Sequence, residues 1–433
     1  MTILTEYRLR LPGVARLIDS LRQSKFAHDA AWLLVLNLTS RGIAFFGTAY
    51  AARCLGPTYL GTSALIQASA QQVGLAYNGG FDTVAVRKIA SDHTQSIPLT
   101  SSITYARLVV AFVILILWTI GAALFAPASE RFAWLLGVPI ILFGATGIAF
   151  VFQGLERLPI QNAIVTVGTI LSATLYFAFF HPGMFLGADL IVISIVGLIT
   201  AIISWAAYRH IFTRWPLGTL SFEHLRALLR ESWRYWALAI IVFFYSTFQI
   251  PLIAGLLGTR QAGIFRSAFL MAAGVELLFN SINSLLLARL VIWKKQGLRI
   301  MWKQQTRLLL IFLAIGGPLT IILFFFAPLA YHVLLGKEFT EGVLIFQILV
   351  VGRLVVFVGQ IYAWGLAAVG LDTHFVLASL LGAVSSVGLN LFLIPKYGLI
   401  AAAFIAVFVE ILVHGYSFGV LRIHVTREIE TLV

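Results

Sequence analysis

The chain has 433 residues, of which 60% are hydrophobic and 11% are charged, and its formal net charge is +13. Soluble domains carry about 25% charged residues, so this composition excludes a water-soluble globular fold. The single cysteine, Cys54, excludes an intrachain disulfide and a cysteine-based metal site, and the nine histidines lack metal-ligand spacing, so we expect no metal or cofactor.

The first predicted element is a cytoplasmic amphipathic segment at residues 1–29. Its Val14, Leu17, Ile18 and Leu21 fall on one helical face among basic residues, which is typical of a helix lying on an anionic lipid surface. About twelve membrane spans follow, because a helix needs about 20 mostly apolar residues to cross the hydrocarbon core. The predicted spans are 31–52, 60–86, 102–126, 131–153, 159–180, 187–209, 235–257, 262–288, 306–334, 342–364, 371–394 and 398–420.

The distribution of lysine and arginine predicts the orientation of these spans. With the N-terminus placed inside, 21 of the 30 Lys and Arg residues lie on the cytoplasmic side and four lie within spans. The outer side has five, which are Arg53, Arg131, Arg260, Lys337 and Lys396. Positive residues concentrate on the cytoplasmic side of membrane proteins. Both termini are therefore predicted to be cytoplasmic, and the positive charge indicates membrane topology rather than a nucleic-acid partner.

An internal repeat divides the spans into two lobes of six. Eight residues of the segment 55–87 recur at an offset of 202 residues in 257–289, including the two glycines of an LG-xxxx-G turn. Six spans separate the copies, so both have the same orientation, a layout that places a substrate cavity between the lobes. The predicted organisation is an N-lobe at 30–210, a cytoplasmic interfacial linker helix at 211–234, a C-lobe at 235–421 and a cytoplasmic tail at 422–433.

A family resemblance is carried by five segments that lie in order along the membrane domain. They are ARCLGPTYLG at 52–61, GFDTVAVRKIA at 80–90, LLGTRQAGIFRSAF at 256–269, LLGKEFTEGVLIFQIL at 334–349 and GLNLFLIPKYGLIAAAFIAVFVE at 388–410. They resemble the polysaccharide-biosynthesis branch of the multidrug/oligosaccharidyl-lipid/polysaccharide (MOP) exporter superfamily, the O-antigen-type lipid-linked oligosaccharide flippases. None of these segments is catalytic.

The resemblance implies a fold and a substrate. The fold would be an all-α, MATE-like inverted V of two six-helix lobes. The substrate would be an undecaprenyl-pyrophosphate-linked oligosaccharide, moved from the cytoplasmic to the outer leaflet of a bacterial inner membrane by alternating access. Polysaccharide polymerase machinery of the same pathway is a further expected partner.

Three of the four arginines within predicted spans, Arg41, Arg266 and Arg353, are candidates for substrate binding. A charge at the bilayer centre costs at least about 2.5–3.5 kcal/mol, so it usually faces a cavity or a partner. Guanidinium groups bind phosphate oxygens through forked, charge-assisted hydrogen bonds, and related flippases carry cavity cations on their first, second and eighth spans. We therefore predict these arginines to bind the pyrophosphate, although span 2 lacks a matching cation. The alternative is a structural ion pair, and Arg53 and Arg107 are predicted to be interfacial anchors.

Three carboxylates are candidates for ion coupling, because a coupled transporter needs an acid that exchanges a proton or a sodium ion. Glu276 in the middle of span 8 is the first choice, with a salt bridge to an arginine as the alternative. Asp82 lies near the inner end of span 2, where Arg87 is its alternative partner. Glu410 shares a helical face with His414, four residues on.

A proline in span 7 is the candidate gating element. Pro251 removes one backbone hydrogen bond and is expected to bend the helix, which would let span 7 flex during closure of the lobes. Prolines are also tolerated in membrane helices without any gating role.

Two other functions fit a chain of many spans. An ion-coupled multidrug or metabolite antiporter of the same superfamily is the first, although cavity arginines would repel a cation. A membrane polysaccharide polymerase or ligase is the second, although outer connections such as 127–130 and 181–186 are too short for a catalytic loop. The sequence contains no P-loop or nucleophile motif, so it predicts a transporter rather than an enzyme.

Overall fold

All regular secondary structure in the described residues is helical. The computed structural model describes residues 25–213, 215, 222–283 and 286–430, without the side chains of 25–38, 222–225, 276–283, 287–288 and 429–430. The helices are α1 Lys25–Asn78, α2 Phe81–Ser91, α3 Ser96–Phe125, α4 Arg131–Leu135, α5 Gly137–Ala145, α6 Ala149–Gly154, α7 Leu158–Phe179, α8 Ala188–Phe212, α9 Phe222–Ser246, α10 Gln249–Leu257, α11 Thr259–Asn283, α12 Leu286–Gln296, α13 Leu298–Leu334, α14 Gly342–Val369 and α15 Asp372–Glu430.

Helices α1 and α15 are each long enough for two membrane passes. They have 54 and 59 residues, which corresponds to about 80–90 Å against a hydrocarbon core of about 30 Å. Each is broken by a glycine outside the helical conformation, Gly56 at φ 71° in α1 and Gly398 at φ 65° in α15. Only a residue without Cβ adopts such angles at little cost. The two halves of α1 match predicted spans 1 and 2, and those of α15 match spans 11 and 12.

The chain is a multi-pass membrane protein. Seven helical segments among the described residues are long and apolar enough to cross a membrane, and the bent pair α9–α10 would be an eighth. They correspond to predicted spans 3, 4, 5, 6, 9 and 10, to the pair 11–12 and, for the bent pair, to span 7. Helix α1 covers predicted span 1 and most of predicted span 2, and helix α11 covers most of predicted span 8. The order of the helices is therefore the order of the predicted spans.

Two predicted boundaries differ from the structure. Span 2 was expected to reach residue 86, but α1 ends at Asn78 because Gly79 and Gly80 both have positive φ and turn the chain into α2. Helix α9 runs without a break from the predicted linker into span 7. Residues 1–24 of the predicted N-terminal segment, residues 214 and 216–221 of the linker and the last three residues lie outside the described part of the chain.

Span 4 is not one helix but three short ones, α4, α5 and α6. The break between α5 and α6 frees backbone carbonyls, which in a membrane must be satisfied inside the protein. The Trp205 indole donates to the carbonyl of Thr146 at 3.2 Å, and the Arg107 guanidinium donates to that of Gly147 at 3.0 Å. Side chains from spans 3 and 6 thus stabilise the break in span 4.

The predicted bend in span 7 is present. Helices α9 and α10 meet at an angle of 47°, at Thr247 and Phe248, just before Pro251. Proline has no N–H for the carbonyl four residues earlier, here that of Thr247. A role of this bend in gating stays a prediction.

The two copies of the repeated turn pack against each other at the lobe interface. A Cβ atom on Gly61 would lie 1.7 Å from the carbonyl oxygen of Thr259, and one on Gly263 would lie 1.8 Å from that of Pro57. Gly61 and Gly263 are equivalent under the offset of 202 residues. Small residues let membrane helices approach until their backbones touch, so the repeat forms a reciprocal backbone contact on the predicted outer side.

Candidate functional site

The candidate site is a cavity of about 500 Å³, called the interlobe cavity below. Helices α1, α7 and α8 of the N-lobe form most of its wall, and Arg266 and Leu270 on α11 bring the C-lobe to it. Its polar lining residues are Thr48, Gln67, Thr169, Ser172, Tyr176, Asp189, Thr200 and Arg266. A pocket with few polar groups in an apolar wall is typical of a ligand site.

Arg266 is the cation of this cavity. Its side chain is partly buried, yet it forms no hydrogen bond and no ion pair with any residue that the structure describes. A guanidinium group has five N–H donors, and it binds phosphate or carboxylate oxygens through charge-assisted hydrogen bonds. Arg266 is therefore available to an anion that enters the cavity.

Asp189 is the anion of the same cavity, and the sequence did not reveal it. The Ser63 hydroxyl donates to its Oδ1 at 2.7 Å and the Gln67 amide donates to its Oδ2 at 3.3 Å. Asp189 lies in the first turn of α8, where an aspartate is ordinary because it complements the helix dipole, so its position hid its role. The sequence feature that could have revealed Asp189 is a charged residue just inside an apolar span. In the structure its carboxylate attracts Arg266 electrostatically.

Arg41 lies outside the lining of this cavity. Its side chain is exposed and has no hydrogen bond or ion pair with a described residue. It precedes the cavity residue Thr48 by seven residues, so both share one face of α1, about 10 Å apart along the axis. Arg41 thus stands on the cavity side of span 1, closer to the predicted cytoplasmic end.

Arg353 and Glu410 belong to a separate pocket of about 80 Å³ within the C-lobe. The guanidinium of Arg353 lies over the Phe269 ring, 4.8 Å from its centroid. The carboxylate of Glu410 accepts a hydrogen bond from the Tyr245 hydroxyl and lies 3.5 Å from His414 Nε2, so the predicted pair with His414 is formed. The three predicted arginines are therefore not gathered in one cavity.

Asp82 pairs with Arg107 rather than with Arg87. The Arg107 Nη2 to Asp82 Oδ1 distance is 2.7 Å, and Arg107 also donates to Asn78 and is only 3% exposed. The prediction that Arg107 is an interfacial anchor is wrong, because it joins spans 2, 3 and 4. Arg87 instead pairs with Glu231 at 2.6 Å, which ties α2 to α9. Ion coupling through Asp82 stays a prediction.

Removal of the Arg107 side chain should destabilise the N-lobe. We expect Arg107→Met to lower the melting temperature in detergent by several degrees, because the buried Arg107 donates to Gly147, Asn78 and Asp82 and a hydrogen bond to a charged group contributes about 1.5–3 kcal/mol. Thermal unfolding followed by tryptophan fluorescence measures this. Arg87→Met, which removes a mostly exposed arginine, should shift the transition little; equal shifts in both variants would contradict a structural role for Arg107.

The side chain of Glu276 lies outside the described residues, so its predicted role in coupling remains a prediction. Among the described residues, no group of three or more His, Cys, Asp or Glu side chains could hold a metal ion.

Comparisons with known proteins agree with this architecture. The family description "Polysaccharide biosynthesis protein" matches residues 26–288, more than half of the chain. The chain is 23% identical to the "Putative O-antigen transporter" of Escherichia coli K12 over 311 residues, which are 69% of this chain and 73% of that protein. It is 22% identical over 383 residues to the "Probable low-salt glycan biosynthesis flippase Agl15" of Haloferax volcanii, covering 87% of this chain and 79% of the relative.

A solved structure shares the fold. It is described as the inward-facing conformation of a multidrug resistance MATE family transporter of the MOP superfamily. The two structures superpose with a TM-score of 0.70 at 13% sequence identity, over 92% of this chain and 100% of the other. At that identity the likeness concerns the fold alone.

Proposed function

The chain belongs to the polysaccharide biosynthesis protein family, and from that membership we propose that it flips an undecaprenyl-pyrophosphate-linked oligosaccharide across a bacterial inner membrane. The predicted family and the predicted MOP-type fold are both confirmed. The relatives described above are named as a transporter and a flippase. The observation that supports the substrate class best is Arg266, a partly buried guanidinium at the wall of a cavity that has no hydrogen-bond or ion-pair partner among the residues that the structure describes.

The headgroup is the part of such a lipid that resists crossing the bilayer. A pyrophosphate loses its hydration there, and a guanidinium can replace part of it with forked, charge-assisted hydrogen bonds. We assign this task to Arg266 in the cavity, with Arg41 as an earlier contact on the cytoplasmic side. The polyprenyl chain would stay among apolar surfaces while the headgroup and sugars pass the cavity.

Asp189 has two tasks in this proposal. Its carboxylate attracts Arg266 when the cavity is empty and repels the pyrophosphate, which keeps the substrate from binding too tightly to leave. Together with Gln67 it also offers hydrogen-bonding groups to sugar hydroxyls. The movement would be alternating access, in which the contact between the repeated turns closes the predicted outer side. A proton or a sodium ion would drive it through Glu276, Asp82 or Glu410, and polymerase machinery would receive the product.

The proposal is tested with the purified protein in phospholipid vesicles that contain the glycolipid with a fluorophore on its sugar. A membrane-impermeant reductant that bleaches the fluorophore irreversibly should remove about half of the signal from empty vesicles. It should remove nearly all of the signal from vesicles with the protein, because flipping carries the inner-leaflet lipid to the outer leaflet during the assay. A phospholipid with the same fluorophore on its headgroup is the control and should remain half protected. Equal bleaching of both lipids, or protection of the glycolipid, contradicts the proposal.

Replacement of Asp189 by asparagine should strengthen anion binding. The amide keeps the shape of the side chain but removes its charge, and even in bulk water two unit charges about 4 Å apart interact by about 1 kcal/mol. We expect a short-chain polyprenyl pyrophosphate to inhibit flipping by Asp189→Asn at about fivefold lower concentration than in the wild type. Asp372→Asn, at an exposed aspartate, is the control; an unchanged inhibition constant in Asp189→Asn would contradict the assigned role.

A second candidate function is favoured by Asp189, because a carboxylate in the cavity suits a cationic substrate. An ion-coupled antiporter would then export a cationic drug or metabolite. The two functions differ in the expected effect of Arg266→Ala. In a flippase the substitution should abolish flipping of the anionic lipid. In an antiporter it should increase uptake of a cation such as ethidium by the same vesicles, because the repelling guanidinium is gone. Transport of ethidium that rises in Arg266→Ala would support the antiporter.

A further inference from the structure

A long apolar groove lies at the seam between the lobes, beside the interlobe cavity. It has a volume of about 430 Å³ and is lined by α1 of the N-lobe and by α11, α13 and α14 of the C-lobe. Its lining on α13 consists of Leu319, Leu323, Phe326, Ala330 and Leu334. These five residues share one helical face and extend over about 22 Å. A volume of about 430 Å³ over this length of about 22 Å gives a mean cross-section of about 20 Å². The groove is therefore long and narrow, and it suits a single hydrocarbon chain.

Two glycines line this groove, and they shape it in different ways. A Cβ on Gly42 would meet no heavy atom within 4 Å, so α1 leaves open space there. Gly274 on α11 lets the Phe45 ring approach to 2.8 Å from the position of its missing Cβ. Phe45, Phe46 and Phe346 add aromatic faces to the wall. A glycine on each lobe thus defines a slot at the interface of α1 and α11.

The groove begins next to the arginines of the candidate site. Gly42 directly follows Arg41 on α1, and Gly274 lies eight residues after Arg266 on α11, about 12 Å along the axis. A lipid whose phosphate binds either guanidinium therefore has its chain within reach of the groove. We propose that this groove binds the polyprenyl chain of the lipid-linked substrate. The inference rests on the proposed function.

The affinity of such a site cannot come from the hydrophobic effect. The bilayer around the protein is as apolar as the groove, so a chain gains only the close packing of its atoms against the wall. Binding of the phosphate to an arginine tethers the chain and raises its local concentration at the groove. The tether is stronger for a polyprenyl phosphate, whose phosphomonoester carries a charge of about −1.5 to −2, than for phosphatidylethanolamine, whose single phosphodiester charge is balanced by its own ammonium group. The methyl branches of the polyprenyl chain also pack against the aromatic side chains of the groove.

A second groove of similar size provides a matched comparison. It has a volume of about 490 Å³ and is lined by N-lobe residues alone, among them Trp118, Gly121, Phe125 and Glu130. Neither groove has a lysine or arginine in its own lining. At the end of this one Glu130 would repel a phosphate, and the adjacent Arg131 already donates from its Nε to the carbonyl of Ala126 at 3.3 Å. Gly121 also faces open space. The proposal predicts that this groove takes lipid chains without preference.

The test is photo-crosslinking of the full chain in phospholipid vesicles. The photoreactive residue p-benzoyl-phenylalanine replaces Phe326 in the seam groove or Phe125 in the comparison groove, both of which are exposed. The probe is polyprenyl phosphate without sugar, beside an excess of labelled phosphatidylethanolamine. We expect at least fivefold more polyprenyl crosslinking, relative to phospholipid, at position 326 than at position 125. Equal ratios at both positions, or phospholipid alone at position 326, would overturn the proposal.

Substitutions that fill the groove extend the test. Gly42→Leu and Ala330→Phe narrow it from two different helices and should each reduce the crosslinking at position 326 to the level at position 125, whereas Gly121→Leu should not. If Gly42→Leu does not fold, Ala330→Phe still decides the question, and undiminished crosslinking in the folded variant rejects the groove. If the wild type flips the glycolipid but polyprenyl crosslinking is not enriched at position 326, the groove proposal is wrong and the proposed function stands. Enrichment without flipping refutes the proposed function and leaves the groove as a polyprenyl phosphate site.

Discussion

Flipping of the pyrophosphate-linked oligosaccharide is expected to fall at least about 30-fold when Arg266 is replaced by alanine. Truncating one partner of a hydrogen-bonded charge pair in a binding site costs about 2–5 kcal/mol, and each 1.4 kcal/mol corresponds to a factor of ten. No other described cation lines the interlobe cavity, so no neighbour replaces the lost guanidinium. Arg266→Lys should keep part of the activity, because it retains the charge but loses the planar fork. Initial rates in the vesicle assay measure both effects.

Arg260 offers a matched control on the same helix. It lies six residues earlier on α11, is exposed, and holds Glu341 through two hydrogen bonds of 2.9 and 3.1 Å, which lowers the pKa of that carboxyl. Exposed pairs of this kind contribute about 0–1 kcal/mol, so Arg260→Ala should flip at close to the wild-type rate. Normal flipping by a folded Arg266→Ala protein would remove Arg266 from the site, and an equal loss in Arg260→Ala would indicate a general effect on α11.

The order of the spans could be predicted because it depends on local composition. Long apolar runs and the placement of lysine and arginine need no knowledge of the fold. The breaks were harder to predict. Gly56 and Pro57 mark the kink in α1 within the sequence itself, whereas the break in span 4 depends on Trp205 and Arg107, which satisfy the freed carbonyls from other spans. Such partners become visible only when the helices are packed.

The candidate site could be predicted only in part for a similar reason. Arg266 stands out because a cation is rare in an apolar run. The sequence gives the depth of Arg353 in its span but not the side of the helix that it occupies, so it was grouped with Arg266 although it lines another pocket. Asp189 escaped notice because the start of a helix is an ordinary place for an aspartate. Its hydrogen bonds to Ser63 and Gln67 join residues more than 120 positions apart.

The contact between the repeated turns predicts the second large effect. Alanine at Gly61 or Gly263 would place a methyl group within 2 Å of a backbone carbonyl of the other lobe, and neither backbone can move aside as a flexible side chain would. Overpacking of this kind costs about 1–3 kcal/mol. Since it penalises only the state in which the turns touch, we expect each variant to shift the lobes about 5- to 150-fold toward an arrangement open on the predicted outer side, and to slow flipping accordingly.

This shift is measured as the distance between two spin labels, one at Tyr59 in the N-lobe and one at Lys337 in the C-lobe, in a Cys54→Ser background. Each glycine variant should show a larger population at the longer label-to-label distance. Gly61 and Gly263 belong to the same contact. Once one alanine has separated the two turns, the methyl group of a second alanine no longer meets the opposite backbone. Gly61→Ala and Gly263→Ala should therefore be strongly non-additive, with the double variant close to either single one. Gly255→Ala, where a Cβ meets no atom within 4 Å, is the control. Additive losses, or an unchanged distance distribution in both single variants, would mean that the repeated turns pack without gating the lobes.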